Sequence, residues 1–159
     1  MAFAPKRILV PLAIDLLGEE AWQQHIVDVA TDVAIAFTGE LALMTVVSSS
    51  GISPGLAQDI TGETRRVAQE LLDARMGAAE KKLLEHGALA KARGVSCELL
   101  VRSAVENVPR LICEAIEEWR ADLVVMGSHG RRKVHQLLLG TVAERVAHTS
   151  PKPVLLIRR

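Results

Sequence analysis

Aromatic side chains are scarce in this 159-residue chain. Phe3, Phe37, Trp22 and Trp119 make up 3% of it, and there is no tyrosine. A surface that stacks successive nucleic-acid bases on aromatic platforms is therefore not expected. Net charge is also missing, because 19 basic residues balance 19 acidic ones. Wholesale electrostatic binding to nucleic acid or to an anionic membrane is not expected either. Cysteine is limited to Cys97 and Cys113. They form no Cys-x-x-Cys pair, and no His/Cys cluster has zinc spacing, so both are expected to act as small core hydrophobes in a reducing compartment. Long apolar runs are absent. The one that follows Lys6 and Arg7 is too short for a signal sequence or a bilayer span, and the expected location is the cytoplasm.

What is present is a globular composition, 49% apolar and 24% charged. The core must be aliphatic, which suits parallel strands under Ala-rich helices. There is no repeat, linker or low-complexity tract, so residues 1–159 read as a single domain.

Short apolar runs at residues 8–14, 41–47, 95–101, 122–126 and 154–157 predict five strands. Pro11 has no ladder donor and belongs near the end of the first. Between the strands, helical patterns are predicted over 18–37, 64–93, 105–119 and 141–149. In the first, Trp22, Ile26, Val29, Val33 and Phe37 suggest the buried face, with Gly39 as the stop. Gly77 and Gly87 are expected to weaken or bend the second. Residues 48–62, with Pro54, and the basic stretch Arg131, Arg132, Lys133 read as loops, and Leu137 to Leu139 as a short turn. Pro151 and Pro153 stop the last helix. Alternating strands and helices with wholly apolar strands predict a parallel α/β sheet covered on both faces. Such sheets bind ligands at the carboxyl ends of their strands.

The chemistry-bearing pattern follows the fourth strand. It reads Gly127-Ser128-His129-Gly130, then nine residues, then Gly140-Thr141-Val142. Glycines at a strand end let backbone N–H groups approach an anion, and the helix opened by Gly140 and Thr141 carries free donors at its N-terminus. Arg131, Arg132 and Lys133 would add counter-charge, or form a solvated loop. The bland alternative is a capping box, Thr141 with Glu144, behind ordinary turn glycines. There is no Gly-x-Gly-x-x-Gly and no Gly-Lys-Ser/Thr, which argues against a dinucleotide fingerprint and a Walker loop.

That motif resembles the universal stress protein family, in its ATP-binding branch. The stretch Ala121 to Arg159 is similar residue by residue, and Ile8 to Pro11 looks like the family's opening strand. The resemblance implies an open five-stranded parallel sheet of order 3-2-1-4-5, Rossmann-like and similar to adenine nucleotide alpha hydrolases. It also implies a stress-response regulator that binds ATP, with Mg, and works as a homodimer. By position, Gly127, Gly130, Gly140 and Thr141 would hold ribose and phosphates, flanked by Met126, Ser128, His129, Arg131, Arg132 and Val142. Val46 would contact adenine, and Pro11, Leu12 and Ala13 would line the base pocket. The sequence departs from the family where an aspartate is usual two residues after the proline, since Ala13 stands there and Asp15 follows two residues late. The family's Gly-x-Pro after the third strand is replaced by Ser103-Ala-Val-Glu. Either Asp15 is shifted into the role or the contact is lost.

No nucleophile, base and orienting group can be assembled, though Asp15 with His129 could converge as an acid/base pair, and His135 also flanks the loop. Three functions follow: a nucleotide-binding regulator, an interaction module of the same fold without nucleotide, or an ATP-dependent hydrolase or adenylyl transferase turning over above about 1 s⁻¹. Trp22 and Trp119 are expected to pack helices. The last strand, Val154 to Ile157, is expected at a sheet edge and as the dimer contact.

Overall fold

The computed structural model describes residues 2–14, 19–49, 62–129 and 140–158. Its elements run β1 (Arg7–Pro11), α1 (Glu20–Phe37), β2 (Glu40–Ser48), α2 (Gly62–Ala92), β3 (Cys97–Ala104), α3 (Val108–Glu118), β4 (Leu123–Gly127), α4 (Thr141–Thr149) and β5 (Val154–Ile157). The strands form one sheet of order β3-β2-β1-β4-β5, and every pairing is parallel. This is the doubly wound architecture expected from the alternation. The strand order reverses between β1 and β4, which pair at Ile8–Leu123 and Leu9–Val124.

Side-chain alternation sends the two faces of each strand into separate cores. Ile8, Val10, Leu12, Leu41, Leu43 and Val125 pack under α1 and α2 with Ile26, Val27 and Leu83. Leu9, Ala42, Met44, Val124 and Met126 pack under α3 and α4 with Ile112, Ile116 and Val146. Asp122 joins the two halves at the start of the sheet: its carboxylate accepts the backbone N–H groups of Lys6 and Arg7, both at 3.0 Å. Trp119 is buried, donates its indole N–H to Glu98 at 2.8 Å, and has the Arg7 guanidinium 4.4 Å from its ring centroid.

Several element details differ from the sequence-based expectations. The buried stripe of α1 is Gln23, Ile26, Val27, Ala30, Thr31 and Ala34. Of the predicted face, Ile26 is buried and Trp22 and Val33 pack against the core, while Val29 is only half-buried and Phe37 is exposed, so the buried stripe is rotated from the predicted one toward Gln23, Val27, Ala30, Thr31 and Ala34. Gln23, Ala30, Thr31 and Ala34 share the seam with Ile26 and Val27.

The left-handed residue ending α1 is Thr38, with φ 55°, rather than Gly39. Gly39 is needed for another reason: a Cβ there would stand 2.6 Å from the Lys6 carbonyl oxygen. The Lys6 ammonium donates to the Phe37 carbonyl at the end of the same helix.

Strand β3 begins at Cys97, not at residue 95. Gly94, at φ +82°, turns the chain, and Val95 donates its N–H back to the Ala90 carbonyl at 3.0 Å, so these residues close α2. Helix α3 starts at Val108 because Asn107 sits left-handed at φ 69° and Pro109 fills the first turn. Gly77 and Gly87 lie inside the continuous helix α2. Leu137 to Leu139 and most of the loop over 48–62 fall outside the described residues. Both cysteines are half-buried rather than fully in the core, and burial pushes the Cys97 thiol up from its ordinary value.

Candidate functional site

The carboxyl ends of β1, β2 and β4 converge at the strand-order reversal, and most of the sequence-selected residues lie there. Pro11 ends β1 in register with Met44. Leu12 is committed to the frame: its N–H donates to the Met44 carbonyl at 2.7 Å and its carbonyl accepts the buried Thr45 hydroxyl at 2.9 Å. Its side chain is in the α1/α2 core. Ala13 follows, half-buried. Val46, Met126 and Val142 all belong to the opposite, α3/α4 core and form an apolar floor on that face.

Beyond β4 the chain is held tightly. Ser128 is fully buried, donates its N–H to the Ile157 carbonyl at 2.8 Å, and hydrogen-bonds the His129 ring nitrogen Nδ1 through its hydroxyl at 2.8 Å. The Ser128 carbonyl accepts the N–H of Gly140 at 2.8 Å. This one bond fixes the start of α4 against the end of β4, joining the two halves of the spaced glycine motif. His129 is half-buried, and its Nε2 is a buried nitrogen with no hydrogen-bond partner among the described residues.

The capping-box alternative does not occur. Gly140, extended at φ −63° and ψ 146°, is the N-cap and has no side chain to cap with, and Thr141 is the first helical residue. Thr141 is exposed, and the first intrahelical bond runs from the Glu144 N–H to the Gly140 carbonyl at 2.8 Å. The N–H groups of Thr141, Val142 and Ala143 thus precede the ladder, at the positive end of the helix. Such an end is suited to an anion.

Gly127 has a packing role that its position in the motif conceals. A Cβ there would meet Ile26 Cδ1 at 3.0 Å and Trp22 Nε1 at 3.3 Å. The missing side chain lets α1 seat against the end of β4, so Gly127 lies against α1 as well as opening the turn. Trp22 is accordingly a helix-packing residue, as expected, and Trp119 is another. Asp15, Gly130, Arg131, Arg132, Lys133 and His135 lie outside the described residues. Sequence reasoning passed over Thr45 and Ser128 as frame-holding groups; a hydroxyl inside or just beyond an apolar strand was their only signal.

A model of the universal stress protein family matches residues 5–158. The chain belongs to the universal stress protein family. A universal stress protein of Methanocaldococcus jannaschii is 30% identical over 155 residues, covering 97% of this chain and 82% of that one. Universal stress protein A homolog 2 of Coxiella burnetii is 30% identical over 156 residues, covering 96% and 94%. Among solved structures, UspA from Lactobacillus plantarum superposes with a TM-score of 0.76 at 21% identity, over 99% of this chain and 100% of that one. A universal stress protein in complex with cAMP gives 0.61 at 23% identity, covering 98% of each. One from Archaeoglobus fulgidus in complex with dAMP gives 0.63 at 17% identity, covering 96% and 98%. At these identities the structures show a shared universal stress protein fold. Among the described residues no helix is long and apolar enough to cross a membrane.

Proposed function

We propose that this universal stress protein is a regulator that binds an adenine nucleotide, ATP in the first instance, at the carboxyl ends of β1, β2 and β4. The observation that carries the reading is the N-terminus of α4, pinned to Ser128 by Gly140 and without a side-chain cap among the described residues, next to a His129 Nε2 with no hydrogen-bond partner among them. Donors left open by the fold fit a phosphate chain. The apolar floor of Val46, Met126 and Val142 fits a base and ribose. Gly127, Gly130, Gly140 and Thr141 would surround the phosphates, with Ser128, His129, Arg131 and Arg132 at their flank. Pro11, Leu12, Ala13 and Asp15 would line the base. Two structural neighbours are complexes with cAMP and dAMP, which supports an adenine ligand here.

Among the described residues no group of three or more His, Cys, Asp or Glu could hold a metal ion. We read magnesium as entering with the nucleotide, on its own phosphates. We read the nucleotide as a bound signal in a cytoplasmic stress response, with hydrolysis slow or absent. The test is mass spectrometry of small molecules released from protein purified without added nucleotide, followed by ATP titration with Mg²⁺. Near-stoichiometric ATP, ADP or AMP, or saturable binding, supports the reading. An empty protein that no nucleotide saturates overturns it.

One observation favours a second reading, an interaction module without nucleotide. Ala13 stands where the family usually has aspartate, and Leu12 beside it has both backbone groups engaged by β2. We also propose a homodimer through β5, an edge strand whose Leu155 is exposed. A monomer by light scattering at tens of micromolar would overturn the dimer.

A further inference from the structure

The turn that follows β1 is held from two sides. Leu12 is bonded to β2 through both backbone groups, to the Met44 carbonyl at 2.7 Å and to the Thr45 hydroxyl at 2.9 Å. Two residues on, the Ile14 carbonyl accepts a hydrogen bond from the Lys82 ammonium at 3.0 Å. Lys82 belongs to α2 and is 68 residues away in sequence. A helix packed on the sheet thus reaches in to grip the backbone just beyond the strand.

The side chains agree with that arrangement. Leu12 is 5% exposed and Ile14 4%, and both pack in the α1/α2 core with Leu83, the neighbour of Lys82. The alternation of β1 therefore runs on past Pro11, with Ile8, Val10, Leu12 and Ile14 on one face. Ala13 lies between two fixed carbonyls. It is half-buried, and the same alternation turns it toward the side of the sheet that carries the Val46–Met126–Val142 floor. Lys82 is itself half-buried, and its charge lies in the cleft that it lines with Glu20 and Glu85. A charged donor in such a place makes a stronger bond to a carbonyl than a neutral one would.

We propose that Lys82 is a positioning residue of the nucleotide site: by holding the Ile14 carbonyl it fixes the turn after β1 and so aims Ala13 at the base. The inference rests on the nucleotide reading above and adds to it a residue from α2. Lys82 acts on the base, through the backbone. The phosphates, in that reading, gather between β4 and α4, which Ser128 holds together by separate bonds.

The test is calorimetric titration of ATP with Mg²⁺, and of inorganic tripolyphosphate, into the full chain, Lys82→Met and Lys82→Arg. Methionine keeps an unbranched stem and loses the donor, whereas arginine keeps a donor. The titrations are made at about 0.15 M salt, where distant charge is screened. Lys82→Met should weaken ATP about tenfold, the scale of a lost hydrogen bond from a charged donor, and leave tripolyphosphate unchanged. Lys82→Arg should bind ATP within about threefold of the unsubstituted chain. In the protein without ligand, the Ile14 carbonyl ¹³C resonance should shift in Lys82→Met. Equal losses for ATP and tripolyphosphate would show that Lys82 acts on the phosphates or on the fold at large, and would overturn the inference. So would an unchanged ATP affinity in Lys82→Met, a loss that arginine does not restore, or an Ile14 carbonyl that stays in place. An unsubstituted chain that ATP does not saturate overturns the nucleotide reading itself, and the first titration shows it before any variant is made.

Discussion

The two faces of the sheet are built by different rules. The α3/α4 core is aliphatic apart from Trp119, whose indole N–H donates to Glu98, and the buried Ser128 lies just past the carboxyl end of β4, in the glycine motif. The α1/α2 face carries Gln23, Thr31 and His86 among its buried residues, distributed along the helices. Thr31 is satisfied within its own helix, donating to the Val27 carbonyl at 2.7 Å, and His86 is satisfied across helices by Gln24. At the strand ends, the glycine motif is held by backbone hydrogen bonds. Under α1 and α2, polar groups are embedded in side-chain packing, where every unmet hydrogen bond bears on stability.

The largest effects should come from the apolar seams, and should be equal on the two faces. Leu83 and Ile116 are each fully buried, one under each face. Leu83→Ala and Ile116→Ala should each lower unfolding free energy by about 2–5 kcal/mol in urea denaturation. A much smaller loss on one side would show that face to be loosely packed.

Gly127→Ala should come next. Its Cβ would press on Ile26 and Trp22, so overpacking should cost about 1–3 kcal/mol and shift Trp22 fluorescence. If stability held while only ATP binding fell, Gly127 would belong to the ligand rather than to α1. Gly130→Val makes the reciprocal case: about a tenfold or greater loss of ATP affinity by calorimetry, with an unchanged unfolding midpoint.

The smallest effect is the pH dependence of the α1/α2 face. The His86 pKa is lowered from 6.5 by burial, so the unfolded chain binds the proton more readily than the folded one. Stability contributed by the neutral ring is present above 6.5 and is lost as pH falls from 6.5 through the folded value. His86→Gln should flatten urea midpoints over that window. A curve with the wild-type slope would place the acid sensitivity elsewhere.

Parts of the fold and site were readable from the chain. The aliphatic runs at Ile8 and Val124 can only be strands buried on both faces, and the helical patterns between them force parallel pairing. The spaced glycines marked the end of β4 and the start of α4. The buried face of α1 was readable only in part: the spacing picks out Ile26, Trp22 and Val33, which pack on the core, but Gln23, Ala30, Thr31 and Ala34 are individually unremarkable while Val29 and Phe37 catch the eye. The start of β3 was missed because Val95 is apolar and buried like a strand residue, yet its N–H closes α2.

Local pattern thus determined the class of this protein: element order, parallel sheet, and a strand-end glycine turn of the universal stress protein family. Those depend on residues close in sequence, whose periodicity and backbone freedom act over one element at a time. Tertiary structure alone decided that Gly127 makes room for Trp22 and Ile26, and that Gln24 and His86 meet between α1 and α2. Each of these is a distance between groups many residues apart, set by how closely two elements can pack, and no local pattern carries that information.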